Sequence, residues 1–71
     1  MFKLKSVYDV QQLLKRFGIF IYVGERVLDL ELMGTEIKEL YKMGLIQRDE
    51  FQNALLILRM EIEKEKIHRE G

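Results

Sequence analysis

His68 is the one histidine of the chain, and so the one side chain whose ordinary pKa suits acid–base chemistry near neutral pH. It follows Glu65 at the Glu-x-x-His spacing of di-iron helical bundles, but those sites need two such pairs and two further carboxylates. This sequence has a single copy, in a highly charged C-terminal stretch. We therefore predict that the protein has no metal site and no cofactor.

Nucleophilic catalysis has few candidate residues in this sequence. Cysteine is absent, and the only aliphatic hydroxyl groups belong to Ser6 and Thr35. Ser6 stands where a helix N-cap is expected, and His68, the best candidate for an activating base, is distant from both in sequence. No glycine-rich phosphate-binding motif is present. We predict that the protein is not an enzyme, and we identify no catalytic residue and no small-molecule substrate.

Aromatic and basic residues are interleaved within a dozen positions: Lys15, Arg16, Phe20, Tyr22 and Arg26. Proteins hold single-stranded nucleic acid with this combination, because bases stack on aromatic rings while cations contact the phosphates. The alternative is that the same rings fill the core of the fold. Exposure of Phe20 and Tyr22 would favour binding of single-stranded RNA or DNA, and burial of both would exclude stacking.

Composition limits these hypotheses. The chain has 71 residues, enough for one domain, with 48% hydrophobic and 34% charged residues and no proline. Its net charge is zero, but residues 1–26 contain five cations against two carboxylates, so they carry +3 and residues 27–71 carry −3. The longest apolar run, residues 19–23, is too short to span a membrane. We expect no membrane association and a cytoplasmic location.

Hydrophobic periodicity predicts an all-α, three-helix bundle. Ser6 and Asp9 fit the start of the first helix, and Gly18 and Gly44 fit the ends of the first two. The predicted helices cover about residues 7–17, 25–43 and 48–67, within one domain (1–71) whose ends, 1–5 and 68–71, are expected to be disordered.

Five large apolar residues, Ile19 to Val23, lie between Gly18 and Gly24. They are β-branched or aromatic and too few for a helix, so they predict an extended connector at 19–23. Because such side chains are costly to leave in water, several of them are expected to pack or to bind something.

Helices 2 and 3 have more apolar surface than one small core requires. Leu28 and Leu32 lie beside the main apolar stripe of helix 2, and Leu56 and Met60 extend that of helix 3. These four residues suggest a second function, in which the protein forms a homodimer or binds a protein partner.

Four stretches of the sequence together carry a family resemblance: Tyr-Asp-Val-Gln-Gln-Leu-Leu at 8–14, Tyr22-x-Gly24-x-Arg26, Glu31-Leu32-Met33, and Glu-Ile-Lys-Glu-Leu-Tyr at 36–41. Through them the chain resembles, over about residues 6 to 62, the YqgQ-like family of small bacterial proteins. The resemblance implies a three-helix bundle and binding of single-stranded nucleic acid, and it implies no catalytic residue.

Overall fold

Three helices and their connections make up the fold. The computed structural model describes the backbone of residues 4–70 and the side chains of residues 4–67. Within that range the chain contains no strand, and the predicted three-helix bundle is confirmed. The helices are α1 (Val7–Arg16), α2 (Arg26–Lys42) and α3 (Arg48–Glu70).

The helix starts depend on local side-chain caps. The Ser6 hydroxyl accepts the backbone N–H of Asp9 at 3.4 Å, and the Asp9 carboxylate accepts the N–H of Lys5 at 2.8 Å. Before α3, the carboxylate of Glu50 accepts the N–H of Gln47 at 3.0 Å. Each bond satisfies a donor that a helix start would leave without a partner.

The core lies where the apolar stripes of the three helices meet, and α2 packs most extensively against α3. The apolar stripe of α2, formed by Leu30, Met33, Ile37 and Leu40, is buried throughout. On α1, Val10, Leu13 and Leu14 are buried. Phe17 is 38% exposed, because the helix ends at Arg16 and Phe17 is its C-cap. The main core residues are Val10, Leu13, Leu14, Leu30, Met33, Ile37, Leu40, Ala54 and Leu58.

Parts of both chain ends have defined contacts or helical backbone where they are described. Leu4 is buried, and its carbonyl accepts a hydrogen bond from Asn53 Nδ2 at 2.6 Å. This contact joins residue 4 to α3, and the Lys5–Asp9 bond joins residue 5 to α1. At the other end, α3 extends to Glu70, beyond the predicted boundary at 67. Residues 1–3 and 71 lie outside the described residues.

Gly34 lies inside α2 without breaking it. It faces Leu55 and Leu58 of α3. A Cβ at this position would meet Leu58 Cδ1 at 3.9 Å and Leu55 Cδ2 at 4.0 Å, which is ordinary van der Waals contact. The packing of α2 on α3 therefore does not require a glycine here.

α3 is the longest element, with 23 residues. At about 1.5 Å per residue it extends roughly 35 Å, most of the 39 Å long axis of the molecule. Among the described residues, no helix combines the length and apolarity needed to cross a bilayer.

Candidate nucleic-acid interface

The connector, residues 19–23, is held at both ends. At its start, the N–H of Ile19 donates to the carbonyl of Leu14 at 3.0 Å. At its end, the N–H of Val23 donates to Asp29 Oδ1, in the first turn of α2, at 2.7 Å. The flanking Gly18 and Gly24 have φ values of 75° and 89°, which side chains other than glycine rarely adopt. The chain therefore enters and leaves the connector by defined turns.

Side chains along the connector alternate between the core and the solvent. Ile19 and Ile21 are half-buried and pack against the core. Phe20 and Tyr22 are 73% and 87% exposed. This two-residue alternation is that of an extended segment lying on the bundle. Because the isoleucines anchor the segment, the aromatic rings stand on its outer side.

A cleft of about 380 Å³ runs between the connector and α1. Its lining is apolar except for Gln11 and the cationic Lys15, which lie one turn apart on α1. Two predicted binding residues, Phe20 and Tyr22, line it together with Lys15. We call this site the connector cleft; it is lined by Gln11, Leu14, Lys15, Ile19, Phe20, Ile21, Tyr22 and Met33.

The backbone between the two exposed rings is available for binding. Residues 20–22 form no hydrogen bond, through N–H or carbonyl, with any described residue. Peptide groups are strong donors and acceptors that are normally paired with protein or with water. The connector cleft thus offers to a ligand aromatic rings, one cation, and peptide groups that have no partner among the described residues.

The two predicted arginines lie outside the connector cleft. Arg26 forms an ion pair with Glu61 of α3 at 3.5 Å, and Glu61 also pairs with Lys64 at 3.3 Å. Arg26 lines a different groove, between α1 and α3. Arg16 is exposed beside Lys15 at the end of α1 but is not part of the cleft wall. Of the three predicted cations, the structure places only Lys15 with the aromatic rings.

The four residues predicted for a protein interface lie on two separate surfaces. Leu28 and Leu32 each lie two residues from Leu30, which is fully buried, so they are about 200° around α2 from it. Leu56 and Met60 have the same relation to the buried Leu58 on α3. Because α2 and α3 pack by their buried sides, these two outer faces point away from each other.

Met60 instead borders Tyr8 of α1. Both line the groove between α1 and α3, with 65% of Tyr8 and 58% of Met60 exposed. The sequence could have indicated the exposure of Tyr8, because this residue lies off the apolar stripe of its helix. Gln11 was also missed, although its position one turn before Lys15 places it on the same helix face.

The Tyr41 ring contacts another aromatic ring of the protein. Its ring stacks on that of Phe51, with centroids 4.2 Å apart and an angle of 11° between the planes. This contact joins the end of α2 to the start of α3. Tyr41 is therefore already stacked within the protein, unlike Phe20 and Tyr22.

The two aliphatic hydroxyl groups form hydrogen bonds with residues that are near them in the sequence. Ser6 caps α1, and the Thr35 hydroxyl donates to the carbonyl of Glu31 at 3.2 Å within α2. In the part of the chain that the structure describes, no group of three or more histidine, aspartate or glutamate side chains could hold a metal ion. The side chain of His68 lies outside the described residues.

Comparison with known proteins identifies the family. The YqgQ-like family model matches residues 4–64. The chain belongs to the YqgQ-like family. It is 43% identical over 67 residues to a Bacillus subtilis (strain 168) protein whose name is "Uncharacterized protein YqgQ", with 94% of each chain covered. In this member of the YqgQ-like family, the matched region includes all of α1, α2 and the connector.

Proposed function

We propose that this protein is a non-enzymatic module of the bacterial cytoplasm that binds single-stranded nucleic acid in the connector cleft. The observation that carries the proposal is the high exposure of Phe20 and Tyr22 on a segment that is fixed at both ends. Base stacking on aromatic side chains contributes about 1–3 kcal/mol per base. Unpaired bases are suited to this site because their faces are accessible.

Lys15 supplies the charge in this proposal. It is exposed and lines the same cleft as the two rings, so its ammonium group can contact a phosphate of the bound strand. Because the cleft holds one cation and the protein has no net charge, stacking must contribute more than electrostatics. We therefore propose modest affinity with a weak dependence on salt.

The Lys15→Ala variant tests this arrangement. It should weaken binding of a labelled single-stranded oligonucleotide a few-fold at low salt. It should also reduce the slope of log affinity against log salt by about 0.7, the value for one phosphate contact on a single strand. Fluorescence anisotropy measured over a salt series, with DNA and RNA oligonucleotides, gives both quantities.

Lys38→Ala is the matched control for Lys15→Ala. Lys38 lines the groove between α2 and α3, away from the connector cleft, and its loss changes the net charge equally. It should leave both the affinity and the salt slope close to those of the wild type. Absence of wild-type binding at low salt would refute the proposed function, and equal effects of the two variants would refute the role of Lys15.

A second candidate function is homodimer formation through the groove between α1 and α3. Tyr8 and Met60 line this groove, and Leu56 lies one turn before Met60 on α3. All three are more than half exposed, which favours this function because large apolar side chains grouped on a surface are typical of interfaces. Sedimentation equilibrium should then show association that rises with concentration and is lost in Met60→Glu. Leu32→Glu, on the outer face of α2, should still associate. A monomer at all concentrations would exclude this function.

A further inference from the structure

We infer that Phe20 and Tyr22 act as a pair and hold one unpaired base between their rings. The inference rests on the proposed function and specifies what the connector cleft recognises. It differs from the simpler arrangement in which each ring stacks independently on its own base. The two arrangements make different predictions for the same set of variants.

The spacing of the two rings carries the inference. The alternation of half-buried Ile19 and Ile21 with exposed Phe20 and Tyr22 places the rings on the same side of an extended segment. Side chains two residues apart in an extended chain are separated by about 6.6 Å, twice the rise of about 3.3 Å per residue. Stacked bases in nucleic acid lie about 3.4 Å apart, so one base with a ring on each face needs about 6.8 Å. The connector provides nearly that gap.

The gap is preorganised by the anchors of the connector. Ile21, between the two rings, packs against the core, and Asp29 holds the N–H of Val23 immediately after Tyr22. A backbone that is already ordered loses little conformational entropy when a base binds between the rings that it carries. The peptide groups of residues 20–22, which bond to no other described residue, lie between the two rings along the chain. They include donors and acceptors, so they can hydrogen-bond the polar edge of any of the bases.

A base inside this gap cannot remain stacked in a duplex. The site should therefore bind one extruded or unpaired nucleotide and tolerate different bases, because every base has a face that stacks. Fully paired duplexes, which have no bulge and no unpaired end, should bind much more weakly than single strands.

A double-mutant cycle tests the inference. Phe20→Ala and Tyr22→Ala should each weaken binding of a labelled oligo-dT strand about tenfold, within the range for one stacked base. When both rings contact the same base, removal of one ring also weakens the contact that the other ring makes, so the two losses are coupled. The double variant should therefore bind only about two- to threefold more weakly than either single variant. Two independent stacking sites would instead give losses that multiply to about a hundredfold.

Two control variants accompany the cycle. Tyr22→Phe keeps the ring and should bind within about twofold of the wild type, whereas Tyr8→Ala removes an exposed tyrosine from a different groove and should have no effect. Because Phe20 and Tyr22 are exposed, their variants should keep the circular dichroism spectrum of the wild type. If the wild type binds and the losses of the two single variants multiply in the double variant, this inference is wrong and the proposed function is unaffected. Failure of the wild type to bind any strand would overturn the proposed function and this inference together.

Discussion

Replacing Leu30 by alanine should lower the free energy of unfolding by about 3–5 kcal/mol, the usual cost of a fully buried leucine in a well-packed core. Leu30 is 0% exposed and is the first residue of the apolar stripe by which α2 contacts the rest of the bundle. A single core of this size supplies only about 3–5 kcal/mol in total. The variant should therefore be largely unfolded at room temperature, as measured by urea denaturation followed by circular dichroism.

Leu32→Ala is the control, because it makes the same change two residues away on the same helix. Leu32 is 36% exposed and lies on the outer face of α2, so less apolar surface is lost and no closed cavity forms. We expect a loss below about 1 kcal/mol. Similar losses for the two variants would show that α2 does not bury the face that we describe.

Replacing Asp29 by alanine should have the second largest effect, because it releases one end of the connector. Asp29 is only 6% exposed, and its carboxylate accepts the N–H of Val23 at 2.7 Å. A hydrogen bond to a charged group contributes about 1.5–3 kcal/mol, so we expect the free energy of unfolding to fall by about 2 kcal/mol. The amide hydrogen of Val23 should then exchange faster with solvent than those of α2, as measured by nuclear magnetic resonance.

The same variant should weaken oligonucleotide binding about tenfold. A connector that is free at one end must be ordered when the ligand binds, and that cost is subtracted from the binding free energy. Asp29→Asn retains a carbonyl oxygen as acceptor, so it should keep most of both the stability and the affinity. A loss of binding equal in the two variants would show that the charge of Asp29, and not the position of the connector, determines affinity.

The connector shows how far the sequence predicts the candidate site. The glycines at 18 and 24 and the β-branched residues between them were sufficient to predict an extended segment. They left open whether Phe20 or Ile21 faces the core, because both are large and apolar and a shift of one residue exchanges the two faces. The bond from Val23 to Asp29 sets this register, and a hydrogen bond across six residues has no signature in hydrophobic periodicity.

Arg26 shows that nearness in sequence does not predict a shared binding surface. Its nearness in sequence to Tyr22 suggested a common binding surface, but Gly24 turns the chain between them, and α2 starts at Arg26. The arginine then meets Glu61, 35 positions later in the chain, at the far part of α3. Nothing local to Arg26 predicts that partner, because the pairing depends on how α2 packs against α3.

The sequence by itself determined the elements of this protein: three helices, their caps and a short apolar connector. Local backbone preferences and the 3.6-residue period act within a few neighbouring residues, so they can be recognised without knowing the fold. The tertiary structure decided which surfaces remain open. Exposure of Phe20 and Tyr22, the separation of Arg26 from Lys15 and the burial of Leu4 all follow from contacts between distant parts of the chain. The candidate site is formed by those contacts.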